Sequence, residues 1–382
     1  MWFIQADMLP KVLISAVVFA LMVFVFNKTS KGKYIHVLST VLNMALLTVF
    51  SYRLSLIYAG YVLITYLLLV VMKRAKCARK VLFVMLCIVF LSPFLLWRLT
   101  SLPDMFGGTL VLVGFSYNML KAVDALFYIY YTDLKIPFFE YTNFITFFPV
   151  FTAGPIMRYR DFTKQFKNPS PPTLGDINTG VRRFILGMFK KVVLVTVLGV
   201  FFDRLSGLEI YHWYSSIAIL VLAYMILFVD LSGYSDMAVG VGRLMGVTIP
   251  ENFKQPWTST SFTQFWRKWH VTLGDWIREH IFVVVQGKQL KKYQSAIIGM
   301  CTMVVMSLWH EFSIMTVIGG IYMGMFLVIE NLFSLSTFNA RKEKKYKFFI
   351  RCLFVNFFFA VNALTFSLDL PKILAILKGL IS

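Results

Sequence analysis

The chain has 382 residues, of which 58% are hydrophobic and 15% are charged. This composition excludes an ordinary soluble enzyme and indicates a protein that crosses a membrane several times. The formal net charge of +20 lies in short groups between apolar runs. Because no compact basic domain is present, nucleic acid is excluded as the expected partner, and contact with anionic membrane lipids is favoured.

Apolar runs of membrane-spanning length recur along the chain and predict an all-α fold, a polytopic integral membrane protein. About 10–11 transmembrane helices are expected, with re-entrant and interfacial helices beside them. The predicted spans cover residues 10–26, 35–51, 54–72, 81–97, 109–131, 184–202, 213–231, 293–309, 313–333 and 350–368.

One further apolar run, residues 140–156, contains Pro149, Gly154 and Pro155. Such a run is predicted to be broken or re-entrant, which is tolerated at membrane depth only where protein or water covers the freed backbone. After it, residues 178–191 carry apolar and basic side chains on different faces. This pattern predicts an interfacial amphipathic helix that runs into the next span.

The distribution of lysine and arginine predicts the orientation of the chain. Loops 73–80, 158–183 and 341–349 hold the densest basic groups, whereas 98–107 and 203–212 hold few. By the positive-inside rule, the basic loops are expected in the cytoplasm.

We expect one membrane-embedded domain over residues 1–382. Its parts are N-terminal spans in 1–105, a motif-bearing core in 106–292 and C-terminal spans in 293–382.

The motif-bearing core contains a stretch, 230–287, that is too polar to span a membrane. Within it, a helix is predicted to start near residue 262, capped by Ser259 or Ser261. His270 follows Trp266 by four residues, so it should border an apolar stripe and face the protein interior. The stripe comprises Phe262, Trp266, Trp269 and Leu273. We expect His270 to orient the donor or the acceptor, with Trp266 and Trp269 shaping the pocket. The competing interpretation is a packing histidine beside the tryptophan stripe.

His310 follows the apolar run Ala296–Leu308, where an ionisable side chain is costly and usually faces a protein interior or a watery cavity. An imidazole accepts and returns a proton near neutral pH. No metal-ligand spacing, GxSxG elbow or phosphate-binding lysine motif accompanies it. We therefore predict that His310 is a general base that removes a proton from an acceptor hydroxyl. The competing interpretation is a buried histidine hydrogen-bonded to a neighbouring helix.

Other polar groups of the core have structural explanations. Asp230 and Asp236 lie near a span end, and helix capping or pairing with Arg243 or Arg267 is favoured over an acid–base pair. The glycines at 240, 242 and 246 follow no strand, so we assign them to close helix packing rather than to a dinucleotide site. The four cysteines show no metal-binding spacing, and no metal is expected.

Several segments, in order over about residues 115–330, resemble blocks of the membrane-bound O-acyltransferase family, and in particular its bacterial alginate O-acetyltransferase-like branch. The similar blocks are Phe147–Phe162, Gly180–Lys191, Asp230–Gly242, Glu251–Pro256, Phe265–His270 and Leu308–His310. The resemblance implies that His310 is the invariant histidine of the family and that His270 belongs to a second histidine block. Asn252 and Trp309 lie in matching blocks and are expected to contribute to substrate binding.

The resemblance also implies a helical fold around a central funnel, in a multi-pass protein of the bacterial cytoplasmic membrane. The acyl group, most simply acetyl, would pass from acetyl-CoA or an acyl carrier protein to an extracytoplasmic cell-envelope polysaccharide or to a partner transferase. No bound cofactor is expected, because acetyl-CoA is a donor substrate. The donor is expected to pass the basic residues Arg158, Arg160, Lys164, Arg182 and Arg183, although these arginines suit lipid headgroups equally well.

Two alternatives stay open. One is D-alanyl transfer to teichoic acid from a carrier protein, in which a carrier-binding cytoplasmic face would be expected. The other is a transporter or flippase with a proton-relay histidine, which the broken run 140–156 also fits. The sequence shows no inverted repeat between its halves, which favours the enzyme over the transporter.

Overall fold

The computed structural model describes residues 8–28, 34–99, 114–167, 170–282, 292–335 and 344–382. Within these ranges every regular element is a helix, which confirms the predicted all-α class. The helices are α1 Met8–Lys28, α2 Ile35–Phe50, α3 Tyr52–Arg74, α4 Arg79–Leu99, α5 Phe115–Thr132, α6 Phe138–Thr146, α7 Tyr159–Lys167, α8 Leu174–Met188, α9 Val195–Ser206, α10 Trp213–Leu244, α11 Phe262–Trp266, α12 Val271–Ile277, α13 Lys292–His310, α14 Ile314–Leu332, α15 Lys345–Leu364 and α16 Leu370–Lys378. The predicted loop 98–107 lies almost entirely outside the described residues.

Among the described residues, six stretches of helix are long and apolar enough to cross a membrane. They confirm a polytopic membrane protein, and all six coincide with predicted spans. They are Tyr52–Arg74, Arg79–Leu96, Leu174–Ser206, Trp213–Leu244, Ile314–Leu332 and Lys345–Leu364. The other four predicted spans are helical over their described parts, α1, α2, α5 and α13, without meeting both criteria of length and apolar composition.

The run 140–156 is broken, as predicted. Helix α6 ends at Thr146, a single 3₁₀ turn covers Phe148–Val150, and irregular backbone follows as far as α7. Gly154 adopts a positive φ of 106°, in the left-handed region that favours glycine. The helix predicted over 178–191 is also present: α8 continues through a π-helical turn, Phe189–Leu194, into α9. Its position at the membrane interface stays a prediction.

The prediction for the start of the polar stretch was wrong. Residues 230–244 do not follow the end of a span but continue α10 to Leu244 as helix. Their carboxylates are accommodated by ion pairs with lysine and arginine of the helix α8–α9. Asp230 pairs with Lys191, and Asp236 lies 2.6 Å from Arg183. Both aspartates therefore form ion pairs, as expected, but their partners are Lys191 and Arg183 rather than Arg243 or Arg267.

The chain divides into two compact units, residues 1–186 with 234–250, and residues 187–233 with 251–382. In the first unit, Asn143 of α6 accepts hydrogen bonds from Ser39 at 2.7 Å and from Asn43 at 3.0 Å. A Cβ at Gly240 would lie 2.7 Å from the carbonyl oxygen of Gly180. Gly240 therefore serves close helix packing, as predicted. The single-domain organisation stays a prediction.

In the second unit, α13 and α14 form a closely packed helical hairpin. A Cβ at Gly320 would lie 2.8 Å from Cα of Val304, and a Cβ at Gly324 would lie 3.0 Å from Cα of Met300. Small residues thus let the two backbones approach closely. The connection is short because Ser313 caps α14 in a capping box with Thr316. This packing fixes the end of α13, which is His310.

Candidate functional site

His270 lies in the short connection between α11 and α12, and its backbone is left-handed, with φ 46° and ψ 49°. The predicted continuous helix through 262–273 is therefore wrong, although Ser261 caps α11 as expected. The carbonyl of His270 accepts from the amides of Leu273 and Gly274 and so begins α12. The break separates the predicted stripe into two short helices, which nevertheless leave Trp266 and His270 in one cavity lining.

Asn252 holds this connection in place. Its carbonyl oxygen accepts from the amide of Val271 at 2.9 Å. Its Oδ1 accepts from the amide of Thr272 at 3.2 Å and from the hydroxyl of the same residue at 2.7 Å. These bonds support the first turn of α12 directly after His270. Asn252 does not line the histidine cavity described below, so its predicted contact with substrate stays a prediction.

Glu330, a residue that sequence reasoning did not single out, holds the beginning of α11. Its carboxylate accepts from the amides of Phe262 and Thr263 at 2.5 and 2.8 Å and from the Thr263 hydroxyl at 2.9 Å. A carboxylate suits a helix N-terminus, where amide groups lack intrahelical partners. The available signal was one acidic residue within the apolar run 313–333.

The two predicted catalytic histidines meet. The ring centroids of His270 and His310 are 5.9 Å apart, with 71° between the ring planes. The ring of Trp309 lies 4.9 Å from that of His310 and 6.4 Å from that of His270. His270 is buried, with 2% of its surface exposed, whereas His310 is half-buried.

His270 lies in the connection between α11 and α12, outside the six membrane-length stretches. Burial, and secondarily the nearby His310, lower the pKa of His270 to about 3. Desolvation disfavours the imidazolium form, so His270 stays neutral near pH 7. A neutral imidazole offers one hydrogen-bond donor and one acceptor. His270 is thus suited to orient a substrate, and the more accessible His310 is the better placed base.

Both histidines line a cavity of about 70 Å³. One water needs about 10–15 Å³ of such space, so the cavity accommodates a small acyl group or several waters. The lining comprises Leu227, Leu231, Trp266, Trp269, His270, Met303, Met306, Ser307, His310, Met323, Phe359, Asn362 and Phe366. The predicted pocket residues Trp266 and Trp269 are therefore in the wall, whereas Trp309 contacts both histidine rings without lining the cavity.

Trp269 is fixed by aromatic packing. Its ring stacks on Phe265 with centroids 5.6 Å apart, and it lies 4.6 Å from Phe359 and 5.1 Å from Phe253. Trp266, one turn earlier, has an indole nitrogen without a hydrogen-bond partner among the described residues. The Nδ1 atom of His270 and the Oδ1 atom of Asn362 also have no hydrogen-bond partner among the described residues. Asn362 is a second site residue that sequence reasoning missed.

A second, larger cavity of about 370 Å³ adjoins the first and shares four wall residues with it. The shared residues are Trp266, Trp269, Met303 and Met306. Its remaining lining is more polar and comprises Thr263, Arg267, Gly274, Ile277, Arg278, Ser295, Ala296, Gly299, Thr302, Leu327 and Asn331. Arg278 pairs with Asp275 at 2.8 Å, whereas the exposed Arg267 has no ion pair within the described ranges.

Arg158 and Arg160, predicted to bind the donor, belong to the other unit and line neither cavity. Arg158 is buried and lies 3.2 Å from Asp124, whose second oxygen accepts from the amide of Tyr159 at 2.6 Å. Arg160 is exposed, with its Nε 3.7 Å from Asp161. The ion pair of Arg158 is a structural role, and donor binding by either arginine stays a prediction.

Comparison with known proteins shows which family the chain resembles. The family model for the membrane-bound O-acyltransferase family matches residues 130–369, more than half of the chain. The probable alginate O-acetylase AlgI of Pseudomonas fluorescens is 33% identical over 244 residues, which cover 62% of this chain and 48% of that protein. The peptidoglycan O-acetyltransferase of Helicobacter pylori is 31% identical over 260 residues, 64% of this chain and 47% of that protein.

The teichoic acid D-alanyltransferase of Bacillus subtilis is 29% identical over 255 residues, which cover 62% of this chain and 61% of that protein. The chain therefore spans about half the length of its alginate and peptidoglycan relatives. Together with the six apolar helices, these relatives confirm the predicted localisation, a multi-pass protein of the cytoplasmic membrane.

Proposed function

The chain belongs to the membrane-bound O-acyltransferase family, and we propose that it transfers an acetyl group from a thioester donor to a hydroxyl group. The acceptor is an extracytoplasmic cell-envelope polysaccharide or a partner transferase that passes the acetyl group on. The observation that carries the proposal is the pair of imidazoles, 5.9 Å apart, in the wall of one small cavity.

In the proposed reaction, His310 removes the proton from the acceptor hydroxyl as its oxygen attacks the thioester carbonyl. The C–O bond forms, and the carbonyl oxygen carries the negative charge of the tetrahedral intermediate. The C–S bond then breaks, and the leaving thiolate takes the proton from His310. His270, neutral and buried, orients one of the reactants through a hydrogen bond. Trp266 and Trp269 exclude water from the reacting groups.

The lining of the cavity favours acetyl over D-alanyl. Its side chains are mostly apolar, and no aspartate or glutamate is among those described. The ammonium group of a D-alanyl ester would lose its hydration there without gaining a counter-charge, which is costly. An acetyl group carries no charge and a single methyl. The alginate and peptidoglycan relatives, whose names specify O-acetyl transfer, support the same choice.

The second cavity is the proposed route of the donor to the histidines. It shares Trp266 and Met303 with the histidine cavity, so a thioester at the end of a long arm would reach that wall from the larger space. Coenzyme A carries phosphates, and the exposed Arg267 offers them an uncommitted guanidinium. Arg160 is the second candidate for this role, whereas Arg158 is engaged by Asp124.

Two other functions are the alternatives. D-alanyl transfer from a carrier protein is supported by the teichoic acid relative and opposed by the cavity lining. A transporter or flippase is opposed by family membership.

The experiment that tests the proposal uses the full chain, purified in lipid nanodiscs and supplied with labelled acetyl-CoA. We expect thioester cleavage or acyl transfer that falls about 10²-fold or more in His310→Ala, the usual scale for losing a general base. His212→Ala is the matched control, because His212 is an exposed histidine outside the cavity.

Equal activity of His310→Ala and the wild type would refute the role of His310. Turnover with a D-alanyl carrier protein, and none with acetyl-CoA, would select the alternative transferase.

A further inference from the structure

Asn362 of α15 is a buried polar residue that no step above uses. Only 4% of its surface is exposed, and it lines the histidine cavity. Its backbone carbonyl accepts from the amide and the hydroxyl of Thr365. Its side-chain Oδ1 has no hydrogen-bond partner among the described residues.

The neighbouring helix leaves space for this side chain. A Cβ at Gly319 of α14 would lie 3.0 Å from Oδ1 of Asn362 and 2.8 Å from the hydroxyl oxygen of Thr365. Only glycine lets α14 approach this closely while the amide stays at the cavity wall. Because Oδ1 has no hydrogen-bond partner among the described residues, a rotation about the terminal bond of the side chain presents either the oxygen or the N–H groups to the cavity.

An unpaired amide oxygen in an apolar wall destabilises the resting fold, and a leucine of similar size would remove that penalty. Such a group is expected where a ligand completes its hydrogen bonds. The cavity wall holds few other polar side chains, chiefly those of His270, His310 and Ser307. The unpartnered indole N–H of Trp266 lies in the same wall and offers a second hydrogen-bond donor.

We propose that Asn362 is a further catalytic residue, whose amide N–H donates to the thioester carbonyl oxygen and to the oxyanion that forms there. This inference rests on the proposed acyl transfer. The amide keeps its protons throughout; it stabilises the charge that develops on the carbonyl oxygen, and the indole N–H of Trp266 assists it. The oxygen returns to a carbonyl when the C–S bond breaks.

The test compares Asn362→Leu with the wild type in nanodiscs, with labelled acetyl-CoA and both transfer and thioester hydrolysis as readouts. Removing one oxyanion donor lowers kcat by about 10²–10³-fold. We expect that loss in both reactions, with KM for acetyl-CoA little changed and the melting temperature equal to or above that of the wild type. Asn362→Gln, which retains an N–H group, should recover part of the activity.

Asn356 on the same helix provides the matched control. Its side chain is paired: Nδ2 donates to the carbonyl of Trp257 at 3.0 Å, and Oδ1 accepts from the Tyr224 hydroxyl at 2.9 Å. Asn356→Leu should therefore lower the melting temperature and leave kcat of the surviving protein within a few-fold of the wild type.

The outcomes separate the possibilities. If Asn362→Leu retains wild-type kcat in both reactions, the inference is overturned while the proposed function stands. If transfer falls and hydrolysis does not, Asn362 binds the acceptor, and the oxyanion role is refuted. If the wild type itself shows no turnover that depends on His310, the proposed function fails, and this inference fails with it.

Discussion

The backbone conformation of His270 separates its structural contribution from its chemical one. A left-handed φ of 46° costs a non-glycine residue about 1–2 kcal/mol. Glycine adopts this conformation freely, and asparagine tolerates it better than most residues do. His270 therefore has a strained backbone relative to glycine, and backbone strain of this kind is concentrated at functional sites.

We predict that His270→Asn lowers kcat for acyl transfer while the fold persists, because asparagine tolerates the left-handed backbone but has no ring to orient a reactant. His270→Gly should be more stable than His270→Ala by about 1 kcal/mol, since both lack the ring and only glycine is free of strain. Thermal unfolding and steady-state kinetics in nanodiscs measure both effects. Unchanged kinetics together with unchanged stability in His270→Asn would contradict the functional and the structural roles alike.

At the residue scale, the sequence predicted the two histidines and the two tryptophans, because ionisable and aromatic side chains beside apolar runs are visible as such. It did not predict Asn362 or Glu330. Each is a polar residue within a membrane-length helix, and its significance depends on what lies across the helix interface. The amide of Asn362 matters because Gly319 leaves it space, and the fold brings these two distant residues of the sequence together.

Helix α11 is an element of five residues, too short to be stable alone, and it carries Trp266 into the cavity wall. Two groups hold its N-terminus, the side chain of Ser261 and the carboxylate of Glu330. The bond from Glu330 links α11 to α14, the partner of the helix that bears His310. The relative placement of Trp266 and His310 therefore depends on this carboxylate.

We predict that Glu330→Ala destabilises the fold by about 1–3 kcal/mol, because the buried amide of Phe262 and the partly buried amide of Thr263 lose their acceptor. Activity should fall together with stability, since Trp266 loses its fixed position. Thermal unfolding of the purified protein measures the change. Glu311→Ala is the control, because Glu311 is an exposed glutamate of the same hairpin. Equal melting temperatures for the two variants would show that the carboxylate does not hold α11.

At the element scale, apolar length predicted the spans, and Pro149 and Pro155 predicted the broken run. The end of α10 and the break at His270 were both predicted wrongly, and the two errors have opposite directions: a helix was missed in the first case, and a helix break in the second. Polar residues 230–244 were read as non-helical because their partners on the helix α8–α9 are distant in sequence. The stretch 262–273 was read as one helix because its periodicity is helical, whereas the hydrogen bonds that Asn252 accepts at the start of α12 come from residues distant in sequence.

For the whole molecule, the distribution of basic residues predicts the orientation in the membrane. Three test proteins each carry a single cysteine, placed in a predicted cytoplasmic loop, and lack all other cysteines. The single cysteine is the exposed native Cys77, Ser170→Cys or Lys345→Cys. We expect all three to resist an impermeant thiol reagent in intact cells and to react after permeabilisation. Glu209→Cys, in the predicted outward loop, is the control and should react in intact cells. Ready labelling of two of the three cytoplasmic positions would invert the orientation.

The last prediction concerns how a phosphate-bearing donor finds the site. Arg267 and Arg160 are both exposed, and they differ in surroundings: Arg267 lines the cavity that adjoins the histidines, whereas Arg160 lies beside Asp161 in the other unit. We expect Arg267→Gln to raise KM for acetyl-CoA about 10-fold, the equivalent of one charge-assisted hydrogen bond of about 1.5 kcal/mol, with kcat little changed. The difference in KM between Arg267→Gln and the wild type should diminish at high salt, because salt screens the contact between Arg267 and the phosphate in the wild type.

Arg160→Gln is the matched comparison and should leave KM unchanged while modestly lowering the amount of inserted protein, as a topological anchor would. A raised KM in Arg160→Gln alone would indicate that the donor phosphates bind at the basic loop 158–183 and not at the second cavity. If neither variant nor the wild type binds acetyl-CoA, the acyl group arrives on a carrier protein. In that case the phosphate contact and coenzyme A as the donor are both refuted. The role of His310 is tested separately, by the activity of His310→Ala.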